Sequence, residues 1–270
     1  MKQPIALQLY SVREDLEQDF YGTLCKVRDM GYVGVEFAGL YGHDPMQVKQ
    51  WCQELGLTPV SSHIPLADLL ADLEGSLATY AAIGCQYVVI PYLPEEYRPG
   101  LPGFDQVLAQ LKPIGEAAGK HGLVLQYHNH DFEFQRLEGG YALDVLYEAA
   151  GPEYLQTQLD TCWINVAGED PVAYLHKYAG RIPTVHLKDF AGSKTEGMYG
   201  LLGQNEAADN GGVFEFRALG RGRQDVPALV QAAREGGAKW FIVEQDSPSQ
   251  GLTAMESARI SAEYLRSVLS

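Results

Sequence analysis

Short runs of β-branched and aromatic residues recur along the chain, each bounded by Gly, Pro, Asp or polar residues. Between several of them the apolar positions fall at helical spacing. This pattern predicts eight strands: Ile5–Val12, Val33–Ala38, Pro59–Ile64, Tyr87–Tyr92, Leu123–Asn129, Leu155–Thr161, Thr184–Asp189 and Trp240–Asp246. It predicts helices over Phe20–Met30, closed by Gly31, and over Pro45–Leu55, with a proline in the first turn and Gly56 just after. Two more are predicted over Val226–Glu235, begun by Asp225 and stopped by Gly236-Gly237, and over Thr253–Leu269. Eight strands alternating with helices point to a single-domain (β/α)8, or TIM, barrel over residues 1–270. A doubly wound sheet is the alternative, but Tyr10-Ser11-Val12-Arg13 after the first strand lacks the glycines of a dinucleotide-binding turn.

The length of 270 residues suits one such barrel. The 35 acidic against 20 basic residues leave a formal charge of −15, with no basic stripe for a nucleic acid. No apolar run approaches a membrane span, and the first residues carry no secretory leader pattern. The four cysteines are scattered without a CxxC pair, which reads as reduced thiols in a cytoplasmic protein. One connection stands out: Phe190 to Gln224 spans 35 residues with eight glycines, and on a barrel such a connection after strand 7 sits on the catalytic face.

Chemically capable side chains recur at or just past the predicted strand ends. They are Glu36 on strand 2, His63 on strand 3, His128 and His130 on strand 5, and Asp160 on strand 6. His186 and Lys188 follow on strand 7, and Glu244 and Asp246 on strand 8. The intervals of 27, 65, 32, 26 and 58 residues approximate one or two βα units of about 30 residues, so these groups converge on one mouth of a closed barrel. Strand alternation puts Gln126, His128 and His130 on one face, and groups Gln158 with Asp160, Thr184 with His186 and Lys188, and Ile242 with Glu244 and Asp246; these are the predicted lumen faces. Two imidazoles and two carboxylates on strands 5 to 8 make a donor set for Mn²⁺, Zn²⁺, Co²⁺ or Fe²⁺.

The chain resembles the sugar phosphate isomerase/epimerase superfamily of xylose-isomerase-like TIM barrels. The resemblance runs from Leu7-Gln8-Leu9-Tyr10-Ser11 to Glu244-Gln245-Asp246. It rests on Gly31-Tyr32-Val33-Gly34-Val35-Glu36, Ser62-His63, the block from Tyr127 to Phe134, Leu159-Asp160-Thr161, His186-Leu187-Lys188-Asp189, Leu219-Gly220-Arg221-Gly222 and Val243-Glu244. It implies one divalent metal (Mn, Zn, Co, Fe or Mg) held by Glu, Asp, His and Glu on strands 5 to 8. Asp160, His186 and Glu244 match the last three, while strand 5 reads His128-Asn129-His130 in place of Glu-Asn-His, which makes His128 the fourth ligand.

The resemblance implies a sugar isomerase or epimerase, in which one group removes a proton alpha to a carbonyl and another returns it through a metal-stabilised enediolate. The substitution on strand 5 lowers the ligand charge from −3 to −2 and removes one acid/base partner. Glu244, His130 and Lys188 are then the expected catalytic groups, and Glu36, His63, Trp163 and Arg223 the expected substrate contacts. The alternative is a lyase or dehydratase on a keto-sugar or inosose, since the inosose dehydratases resemble this chain in fold and in a His-rich strand 5. A nuclease on the same barrel is disfavoured by the charge, and a noncatalytic sugar-binding barrel is the fourth reading. Asp131 and Glu133 read as solvated loop residues, and Arg221 and Arg223 as a basic turn or an anion contact. The expected partner is a small carbohydrate, with no nucleic acid and no membrane; homo-oligomer formation is left open.

Overall fold

A computed structural model describes residues 3–195, 198–199 and 214–270. Eight parallel strands close into a barrel: β1 (Ile5–Gln8), β2 (Gly34–Phe37), β3 (Thr58–His63), β4 (Tyr87–Ile90), β5 (Val124–His128), β6 (Gln156–Asp160), β7 (Thr184–Leu187) and β8 (Trp240–Val243). Each strand pairs with the next in sequence, and β8 returns to β1 with Ala6 opposite Ile242. Among the described residues no helix is long and apolar enough to cross a membrane. All four cysteines are free thiols.

The strand cores lie where the hydrophobic pattern puts them, but several end early. Ile5–Val12 stops as a strand at Gln8, because the Gln8 side chain accepts the Tyr10 N–H and turns Leu9–Val12 into a 3₁₀ turn. Thr184–Asp189 breaks after Leu187, and Asp189 starts an antiparallel ribbon, Asp189–Gly192 against Phe214–Arg217. That ribbon forms the two ends of the long connection; residues 196–197 and 200–213 of the connection lie outside the described residues.

Alternation sorts the strands into two faces. Leu7, Val35, Val88, Leu125, Leu159, Val185, Phe241 and Val243 join the large apolar core, and the predicted lumen faces are the opposite ones. The lumen is filled in layers. At the bottom, Ala6, Val60, Tyr87, Trp240 and Ile242 form an apolar plug. Above it lie Gln8, Glu36, Ser61, Gln126, Gln158 and Thr184, all fully buried. A register shift between β2 and β3 puts Ser61, not Val60, opposite Glu36, and both Val60 and Ser61 end up facing inward.

Gly34 is the small residue that the bottom plug requires: a Cβ there would stand 2.7 Å from both the Trp240 ring and the Val60 methyl. Gly34→Ala is therefore expected to destabilise the barrel by about 1–3 kcal/mol through overpacking, despite the lower backbone entropy of alanine. Urea denaturation of the variant beside wild type checks this.

Candidate metal centre

Four predicted groups meet at the top of the lumen. His128 ends β5, Asp160 ends β6, His186 lies on β7 and Glu244 follows β8. Each offers one donor atom, and the four atoms all lie within 4.8 Å of one another, fully or almost fully buried. His128 Nε2 stands 3.7 Å from Asp160 Oδ2, and His186 Nδ1 stands 3.0 Å from Glu244 Oε2. Asp160 divides its work. Its Oδ1 accepts the backbone N–H groups of Cys162 and Trp163 at 2.8 and 3.0 Å, which caps the helix Thr161–Val166. Its Oδ2 is buried with no hydrogen-bond partner. A carboxylate oxygen that makes no hydrogen bond, with the Lys188 ammonium 3.4 Å away, beside two imidazoles and a second carboxylate fits a divalent transition metal, and His128, Asp160, His186 and Glu244 are the residues that would hold it.

Lys188, two residues past His186, is buried against three carboxylates: Asp246 at 2.8 Å, Glu244 at 2.9 Å and Asp160 at 3.4 Å. Burial favours its neutral form, but Asp246 and Glu244 outweigh that and hold the amine well above the usual lysine range. Burial pushes the Glu244 carboxyl up, yet Lys188 and His186 together keep it well below the usual range. His186 feels burial too, but Glu36 and Glu244 on either side push it up to about 10. His128 goes the other way: burial and the neighbouring His186 keep it neutral.

Glu36 and His63 lie beneath this group. Glu36 Oε1 is 2.6 Å from His186 Nε2 and 3.0 Å from His63 Nε2, and it accepts from Gln8 at 2.8 Å. Its Oε2 accepts from Ser61 at 2.5 Å and from Gln158 at 2.6 Å. Both oxygens of the expected substrate contact Glu36 are thus taken up by protein donors. His63 stacks on His186 and also meets Gln158 Oε1 at 2.8 Å.

His130 stands beside the metal-binding set, its ring stacked on Phe132 and flanked by Tyr92 and Trp163. Its Nδ1 is buried without a hydrogen-bond partner. Burial, then Lys188, keeps this imidazole neutral. Trp163 is fully buried against Tyr199, Phe214 and Phe216, with the Lys188 ammonium 5.4 Å from its ring centre and its Nε1 also unpartnered.

Two expectations change at the loops. Asp131 and Glu133 are buried, not solvated: Glu133 accepts from Tyr127 Oη at 2.5 Å and from the His130 N–H at 2.8 Å, while Asp131 pairs with Lys194 and Tyr199. Arg223 lies apart from the metal-binding set, exposed, donating to the Gly192 carbonyl and lying over Phe190. The glycine turn before it is a nest for Asp189, whose carboxylate accepts the N–H groups of Phe190, Gly220, Gly222 and Gln224. Arg98, in the loop after β4, is a residue that strand-end spacing does not find; its guanidinium lies over Phe132, Tyr92 and Tyr199 at the lip of the site.

The xylose isomerase-like TIM barrel model matches residues 24–268. The chain belongs to that family. Among curated relatives, the inosose dehydratase of Geobacillus kaustophilus is 25% identical over 90% of this chain and 85% of its own length. That of Mesomycoplasma hyopneumoniae (strain 7448) is 28% identical over 62% of this chain, which spans about half, 55%, of that relative. Among solved structures, a sugar phosphate isomerase/epimerase from Parabacteroides distasonis superposes with a TM-score of 0.77 at 22% identity, covering 98% of this chain and 94% of that one. The IOLI protein with a bound zinc atom superposes at 0.70 with 16% identity, covering 99% of this chain and 98% of that one. At these identities the two superpositions show the fold alone.

Burial pushes the Glu133 carboxyl up to about 8, despite its bonds from Tyr127 and His130. The folded value lies above the unfolded one of about 4.3, so stability from this group is whole below that pH and is lost as pH rises through about 8. Glu133→Gln is expected to flatten the fall in thermal midpoint between pH 6 and pH 9 (roughly 5 kcal/mol at most for a shift of this size). Calorimetry across that range checks it.

Proposed function

We propose that this protein is a divalent-metal-dependent carbon–oxygen lyase acting on a keto-polyol of the inosose class. The single observation that carries the reading is the asymmetry of the acid/base groups. His130 is a neutral imidazole with an unbonded buried Nδ1, and Lys188 is a charged amine beside Glu244. A proton-return reaction is best served by two matched carboxylates on opposite faces of the substrate, and here strand 5 supplies imidazoles instead. The curated relatives named above are inosose dehydratases, which favours elimination over the isomerase or epimerase chemistry that the superfamily resemblance implies.

A bound metal would polarise the substrate carbonyl and adjacent oxygen, acidifying the neighbouring C–H. His130 Nδ1 accepts that proton. The C–O bond to the β-hydroxyl breaks as a C=C bond forms, and Lys188 donates a proton to the departing hydroxyl, which leaves as water. The proton on His130 returns to Lys188 through solvent, so the enzyme ends unchanged. Asp246 at 2.8 Å keeps Lys188 charged until that transfer. Trp163, its Nε1 unpartnered, adds a hydrogen-bond donor for a substrate hydroxyl.

The test is turnover of an inosose and ketose panel by the metal-loaded protein in D₂O, followed by NMR. Loss of water to an unsaturated ketone is the expected result; recovery of an isomer carrying solvent deuterium, without water loss, overturns the lyase reading in favour of the isomerase. His130→Gln is expected to lower kcat by about 10²–10⁴ with little change in metal content. Asp160→Asn is expected to abolish tight Mn²⁺ or Zn²⁺ binding, and unchanged affinity in that variant rejects the metal site itself.

A further inference from the structure

We propose that Glu36 and Gln158 are a positioning pair that fixes the tautomers of both imidazole ligands from below. The inference rests on the metal site just described and assigns which nitrogen of each histidine faces it. The Gln158 amide must donate through Nε2 to Glu36 Oε2 at 2.6 Å, because a carboxylate only accepts. Its Oε1 is then fixed as the atom 3.1 Å from His128 Nδ1 and 2.8 Å from His63 Nε2. His128 therefore carries its proton on Nδ1 and turns Nε2 toward Asp160. Glu36 Oε1, 2.6 Å from His186 Nε2, holds a proton on that nitrogen and turns Nδ1 toward Glu244. One carboxylate and one amide, hydrogen-bonded to each other, thus leave His128 Nε2 and His186 Nδ1 as the nitrogens that face Asp160 and Glu244. Without metal His186 Nδ1 donates to the Glu244 carboxylate, and that proton is the one an ion would replace.

The pair also restores charge. The strand 5 histidine leaves the ligands with two carboxylates, and Glu36 places a third directly behind His186, raising the basicity of that imidazole toward a cation. Its five donors come from β1, β3, β6 and β7, so the carboxylate cannot swing away to meet a substrate. The donor atoms of His63, His128 and His186 also converge, but Glu36 and Gln158 already engage one nitrogen of each of these rings. The contacts in this layer run from 2.6 to 3.1 Å, which is hydrogen-bond spacing.

The experiment has two arms. Long-range ¹H–¹⁵N NMR of the wild-type protein without metal is expected to show His128 protonated on Nδ1 alone and His186 protonated on both nitrogens. On titration with Zn²⁺, His186 loses its Nδ1 proton and the shifts of His186 Nδ1 and His128 Nε2 move, while the protons on His186 Nε2 and His128 Nδ1 stay. A proton on His128 Nε2, loss of the His186 Nε2 proton when Zn²⁺ binds, or two Zn²⁺ per chain with the lower nitrogens shifted, overturns the proposal. In the second arm, chelator competition measures Zn²⁺ affinity. Glu36→Gln and Gln158→Leu are expected to lose about 10–100-fold, with an altered visible spectrum when loaded with Co²⁺ and partial recovery in Glu36→Asp. Wild-type protein that fails to bind Zn²⁺ rejects the metal site, while the tautomers still judge the pair; tight wild-type binding with unchanged affinity and spectrum in Glu36→Gln rejects the pair alone.

Discussion

The carboxylate of Glu36 is the fixed point of the lumen. An ion buried in a dry barrel costs several kcal/mol unless donors answer it, and this one is answered from four other strands. Each donor sits where strand alternation and register place it: Gln8 opposite Glu36 on β1, Ser61 opposite it on β3, and His186 and Gln158 three and four strands away across the barrel. The β2–β3 register shift matters for this reason. Without the extra residue, the Ser61 hydroxyl would face the outer core and one Glu36 oxygen would lose a donor. The polar layer is therefore as much a closure device as a floor for chemistry, since it ties strands that are not neighbours in the barrel wall.

The barrel was legible because a parallel strand buried on both faces reads as an unbroken apolar run with punctuation at each end. Strand ends were less so. Tyr10 to Val12 and Glu244 to Asp246 continue the apolar or alternating pattern, but the Gln8 side-chain cap, invisible to periodicity, stops the first ladder at Gln8, and the eighth strand ends at Val243. His128, Asp160, His186 and Glu244 were legible for a firmer reason: a repeat of about 30 residues fixes height, and alternation fixes face. Height along a strand is resolved only to a residue or two, which is why Glu36 reads as a mouth residue although it lies one layer lower. Gln158 carries no charge and so gives no signal, although its face was assigned through Asp160.

Loop residues fall outside this logic. Asp131 and Glu133 look solvated because they are charged residues in the loop just past a strand end, whereas their burial comes from Lys194, Tyr199 and Tyr127, two of which are more than 60 residues distant. Arg98 and Arg223 show the same gap in opposite directions. Arg98 follows a strand with no polar end and yet reaches the aromatic lip; Arg223 follows a glycine motif and yet faces outward, because Asp189 has already filled the nest.

Charge balance explains how such a site folds before any ion arrives. Glu244, Asp160 and Asp246 converge, and three carboxylates at this spacing would repel strongly in a buried setting. Lys188 contacts all three and His186 bridges Glu244 to Glu36, so the layer closes on its own cations. This differs from small zinc domains, whose ligands collapse only around metal; here the apolar plug and outer core already specify the barrel. Were Asp160 and Glu244 to hold an ion as proposed, Lys188 would keep Asp246 at 2.8 Å. A third carboxylate outside the proposed donor set would then keep the ammonium charged and in place beside an added divalent cation.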